Sequence, residues 1–72
     1  MAHFIINKNA QPTGEHEVHN LDAYCGHLPN SENQISLGHY NGCRGAIQYA
    51  KSQYPNASID GCAYCAPDCH TR

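Results

Sequence analysis

The sequence predicts a small α+β domain: a β-hairpin or three-stranded antiparallel sheet packed on one helix at about 42–54, followed by a Cys-rich C-terminal knuckle. Three observations carry this prediction. β-Branched and aromatic residues gather near the N-terminus, apolar residues recur at helical spacing after Cys43, and the chain holds five Cys in 72 residues. A chain of 7.9 kDa makes one domain and buries only about 60% of the surface its unfolded form exposes. Its core alone supplies roughly 3 to 5 kcal/mol, so cross-linking through sulfur is expected to hold it.

Residues 3–7 contain Phe4, Ile5 and Ile6 and read as a strand. In 15–19, His16 and Val18 share one face, and Glu15, Glu17 and His19 share the other. Pro12, Thr13 and Gly14 lie between these segments and supply turn chemistry, so the two strands form a hairpin. Ile35 and Leu37 in 34–40 add a third short strand after a polar loop at 29–33. Cys43, Ala46, Ile47, Ala50 and Tyr54 stand at offsets 0, 3, 4, 7 and 11, one face of a helix. Asn41 is the expected N-cap and Pro55 the stop. Gly45 inside this helix costs about 1 kcal/mol relative to Ala, which points to a close contact on that side. Residues 56–61 read as a turn-rich linker. The tyrosines, Tyr24 and Tyr64 among them, are expected to supply bulk to a core that has no Trp.

Charge excludes several functions. Four basic and six acidic residues leave a net charge of −2, and Lys8, Arg44, Lys51 and Arg72 form no stripe that would track a phosphate backbone. Nucleic acid is therefore not an expected partner. The longest apolar run, Phe4-Ile5-Ile6, is far from the about 20 residues of a membrane span. The N-terminus shows no secretory pattern, so a cytoplasmic chain is expected, in which thiols stay free or bind metal. Asn56-Ala57-Ser58 spells a glycosylation acceptor and is read as a loop coincidence.

Cys62 and Cys65 form a C-x-x-C knuckle whose thiolates can turn onto one ion. The remaining ligands must come from a distance, because closing a long loop is what couples a metal to folding. His19 and Cys25 are the best supply, which gives a zinc site of Cys25, Cys62, Cys65 and His19. Cys69 is an alternative fourth ligand, and spacing does not choose between it and His19. His16 competes less well because it shares its face with Val18, and His3, His27 and His39 fall in loops or on edges. Cys43, on the apolar stripe of the helix, is expected to pack as a small hydrophobe. A disulfide or ligand role facing the tail is its alternative. Asp60 and Asp68 read as turn and helix-start residues. Thioredoxin, c-type haem, ferredoxin and Ser-His-Asp patterns do not fit the spacing.

Four protein ligands leave no open position, so the ion would be structural and the domain would present a surface to a protein partner. The rival expectation is a disulfide-stabilised or thiol-redox fold without metal, and a third is a zinc-activated nucleophile such as Cys69.

Beyond this reading, Asn7-Lys8-Asn9-Ala10-Gln11, Gly14-Glu15-His16-Glu17-Val18-His19, Leu28-Pro29, Leu37-Gly38, Ala50-Lys51 and Gly61-Cys62-x-x-Cys65-x3-Cys69-His70-Thr71 resemble a group of short bacterial Cys/His-rich proteins with no assigned activity. The resemblance covers nearly the whole chain and implies a stand-alone bacterial protein. More distantly, a His, a following Cys, a helix and a C-x-x-C are similar to the metal-binding module of Ada-type DNA-repair proteins. That similarity implies zinc held by the N-terminal Cys and the C-terminal pair. The gap between His and Cys is longer here, and no basic surface follows.

Overall fold

The computed structural model describes residues 1–23 and 25–71, so the expectations for Tyr24 and Arg72 lie outside the described residues. Among those described, four strands and one α-helix form: β1 (Ala2–Asn7), β2 (Glu15–Asn20), β3 (Gln34–Tyr40), α1 (Cys43–Gln53) and β4 (Ser58–Gly61). Short 3-10 turns occupy Ser31–Asn33 and Pro67–Cys69. The α+β class is as expected, and β1 and β2 form the hairpin, with Ile5 opposite His19 and Ile6 opposite Val18. Gly14 closes its turn at φ +100°, a conformation that a Cβ disfavours.

The sheet departs from the expected three antiparallel strands. Its order is β3-β1-β2-β4, and β4 runs parallel to β2, with Glu17 opposite Asp60 and Val18 opposite Gly61. Residues 58–61 are therefore a strand and not a linker. Because β3 and β4 are antiparallel and parallel to their respective neighbours in the hairpin, they point the same way, and α1 is the crossover between them. Ser, Asp and Gly make this segment look like a turn. What holds it extended is the edge of β2 and the burial of Ile59 against the core, neither of which is local.

Phe4, Ile6, Val18 and Leu37 from the sheet meet Cys43, Ala46 and Ala50 from α1 and Ala66 from the tail in one apolar cluster. The helical stripe thus buries the expected face. Its start differs: Gly42, in extended backbone, takes the N-cap position without a side-chain cap bond, and Asn41 is exposed. The close contact at Gly45 is real, and the group that approaches is the Tyr40 ring. A Cβ at Gly45 would lie 2.8 Å from Tyr40 Cδ1, while the Tyr40 hydroxyl donates to the Leu37 carbonyl at 2.6 Å. Tyr49, Tyr54 and Tyr64 are exposed, which corrects the expectation of a tyrosine-filled core. Phe4 and the aliphatic strand residues fill that space instead, at no cost in buried hydroxyls.

A disulfide joins Cys43, the first residue of α1, to Cys69 in the tail. This corrects the expectation of Cys43 as a packing thiol, because the stripe that buries Cys43 also faces the tail. Gly61 makes that approach possible: a Cβ there would lie 2.7 Å from Cys69 Cβ and 2.9 Å from the Ala66 carbonyl oxygen. Asp60, buried at the end of β4, accepts from the Thr71 amide and hydroxyl and lies 3.3 Å from His70 Nδ1, pinning the tail a second time.

Candidate metal centre

Strand alternation sends Val18 into the core under α1 and turns His19 to the opposite face of the sheet. There the His19 side chain is fully buried, with Nδ1 3.5 Å from Cys65 Sγ and 3.9 Å from Cys25 Sγ. Cys25 Sγ stands 3.7 Å from Cys62 Sγ, and the four ligand atoms all lie within 4.8 Å of one another. A tetrahedral ion with sulfur at about 2.3 Å and nitrogen at about 2.0 Å requires edges of about 3.8 Å between sulfurs and about 3.5 Å from sulfur to nitrogen. The observed separations fall close to those edges. His19, Cys25, Cys62 and Cys65 therefore form a group that could hold a metal ion.

Each position has a local cause. The Cys62 amide donates to the Val18 carbonyl at 2.9 Å, extending the parallel ladder by one residue and bringing the knuckle beside the end of β2. The knuckle then turns, with the Tyr64 amide 3.4 Å from Cys62 Sγ and the Ala66 amide donating to the Cys62 carbonyl at 2.8 Å. The Asn20 amide points at Cys65 Sγ from 3.4 Å. Amides aimed at sulfur favour the thiolate over the thiol, the form that binds metal. After β2 the chain reverses through an Asn20 turn, the Asn20 side chain accepting from the Asp22 amide at 2.9 Å, and delivers Cys25 to the same place.

Burial, reinforced by hydrogen bonds with the Cys25 and Cys62 thiols and by the charge of Cys62, pushes the Cys65 thiol up to about 12 against the opposing Asn20 amide. Burial, then the charge of His27, pushes the His19 imidazole below its ordinary value, so the ring is kept in the neutral form that ligates. A metal entering at neutral pH must displace at least the Cys65 proton. Metal affinity is therefore expected to rise by at least about tenfold per pH unit between pH 6 and 8. Competition titrations with a chelator of known proton affinity check this, and a flat profile would contradict it.

The structure brings together four of the residues singled out from sequence and leaves the alternative apart. Cys69 is bonded to Cys43, so its sulfur is not available as a fourth ligand or as a nucleophile. His70 Nδ1 donates to the Gly61 carbonyl at 3.0 Å, and His16 Nδ1 donates to the Asn7 carbonyl at 3.0 Å. His3 on the inner strand β1 and His39 on the edge strand β3 stack with ring centroids 4.6 Å apart. Sequence reasoning missed two neighbours of the centre. His27 stacks on Tyr64 at 4.1 Å, clipping the Cys25 loop to the knuckle. Glu17 lies on the His19 face of β2, its Oε1 3.7 Å from His19 Nε2. The i, i+2 spacing of Glu17 and His19 was the available signal for the second.

Among the described residues, no helix is long and apolar enough to cross a membrane. Comparison of the chain with protein-family models, with curated proteins and with solved structures finds no match. The class of protein is therefore defined by the fold and the His/Cys group alone: a small α+β protein with a disulfide and a candidate metal centre.

Proposed function

We propose that the chain is a zinc-stabilised binding module in which His19, Cys25, Cys62 and Cys65 hold one structural ion. The observation that carries this is the near-tetrahedral spacing of one imidazole nitrogen and three sulfurs contributed by a strand, a loop and a knuckle. Three soft thiolates and an imidazole suit zinc better than the hard cations, which prefer oxygen. Four protein ligands fill the tetrahedron and leave no position for a substrate, so the ion acts on the fold and not on a reaction. The order of His, Cys, helix and C-x-x-C in the resemblance to Ada-type modules supports the same assignment. The function is then to present the folded surface to a protein partner, and the absence of a basic stripe disfavours a nucleic acid in that role. A reducing cytoplasm would keep the three ligand thiols free, whereas the Cys43–Cys69 bond is the chemistry of an oxidising compartment.

The Cys43–Cys69 bond favours a second reading, a fold stapled by disulfides without metal. Cys25, Cys62 and Cys65 are unbridged, and three thiols cannot all pair. A native mass spectrum of protein purified without a metal-affinity tag separates the two. The zinc reading expects one zinc and two missing hydrogens, with three cysteines alkylated after acid denaturation. A mass with four missing hydrogens and no metal would overturn it in favour of disulfides.

A further inference from the structure

We propose that Glu17 is the outer partner of the centre, accepting the Nε2–H of His19 and so holding the ring with Nδ1 turned toward the sulfurs. This rests on the zinc reading above and assigns a positioning residue that the ligand set does not include. His19 faces Cys25 and Cys65 through Nδ1, so in the metal-bound state its single ring proton belongs to Nε2. That nitrogen is fully buried and has no hydrogen-bond partner. A buried N–H without an acceptor costs roughly 1–3 kcal/mol, so an acceptor nearby has strong leverage on the ring.

The polar group facing it is the Glu17 carboxylate, with Oε1 at 3.7 Å. A closing movement of about 0.5–1 Å brings that pair into hydrogen-bond range. Alternation along β2 puts both side chains on one face, two residues apart, so the strand itself presents the carboxylate to the ring. Gln11, from the hairpin turn, lies beside Glu17 in the same surface depression, and its side chain favours the charged carboxylate. The depression is shallow and also lined by His27, Leu28 and Tyr64, so Glu17 has room to shift without disturbing the core. Metal-ligating histidines are commonly oriented by such a carboxylate, itself held by a further hydrogen bond. Gln11, Glu17, His19 and the sulfur cluster stand in that order, with the Glu17–His19 step one small movement from closure.

The test measures zinc affinity by competition with a chromophoric chelator for the wild type, Glu17→Gln, Glu17→Ala and the exposed control Glu32→Gln. Nε2–H exchange of His19 is read by NMR on the zinc-loaded proteins. Glu17→Ala is expected to weaken zinc binding by about 10- to 100-fold. Glu17→Gln, which keeps a neutral acceptor, should fall between Glu17→Ala and the wild type, and Glu32→Gln should match the wild type. Exchange of the Nε2 proton should be faster in Glu17→Ala, a change that a purely structural role would not produce. Equal affinities and equal exchange rates in all four proteins would overturn the assignment of Glu17 while leaving the zinc centre intact. A wild type that binds no zinc would overturn both.

Discussion

Excess chelator, or the substitution Cys62→Ser, is expected to lower the melting temperature by at least about 12–24 °C. The estimate takes a loss of about 3 kcal/mol, below the apparent binding energies of structural zinc in isolated fingers, at about 4–8 °C per kcal/mol for a domain of this size. The reason for so large an effect is where the ligands come from. His19 lies near the end of β2, Cys25 follows in the next loop, and Cys62 and Cys65 come just after β4, so one ion held there would tie the sheet's parallel edge to the loop that covers its back face. Cys62 and Cys65 are buried and His19 is fully enclosed. Removing the ion leaves these polar groups clustered with each other and away from water, where the apolar cluster under α1 cannot compensate. Thermal melts followed by circular dichroism, with and without chelator and then with zinc restored, measure this. A melting temperature unchanged by chelator would remove the structural role of the ion.

Replacing Cys43 and Cys69 together by Ala is expected to destabilise the protein by about 3.5 kcal/mol in the chain-entropy model, a fall of about 14–28 °C in melting temperature. The bond closes a loop over a sequence separation of 26 residues, spanning α1, β4 and the knuckle. Without it the tail is held by Ala66 in the core, by the Asp60–Thr71 bonds and by packing on Gly61. Of these, only the packing of Ala66 meets α1, and no covalent link to the helix remains. The double variant should still bind one zinc, because neither sulfur belongs to the His19 group. Elemental analysis alongside the melts distinguishes the two cross-links. Loss of zinc from a variant that remains folded would show that Cys69 contributes to the centre after all.

The hairpin and helix were legible because their signals are local. Alternation around Val18 assigns side chains to the two faces of β2, both of which are covered at Val18 and His19, and the stripe from Cys43 to Ala50 buries one face of α1 at the helical period. The edge strand Ser58–Gly61 was not legible, since its four residues read as a turn until β2 offers them an edge. The N-cap shifted from Asn41 to Gly42 because no side-chain bond fixes the helix start. For the site, knuckle spacing and strand parity pointed to His19, Cys25, Cys62 and Cys65, while the choice between His19 and Cys69 stayed open.

The sequence by itself determined the α+β class, the helix that covers the sheet, and the sulfur and imidazole inventory near the chain's two ends. Only the tertiary structure decided how the five sulfurs divide, with Cys69 going to Cys43 and the other three gathering around His19. The physical reason is that the division depends on distance in space. The parallel return of β4 beside β2 sets Cys62 next to the end of β2, and Gly61 lets the tail turn toward the first residue of α1. No spacing along the chain encodes either approach.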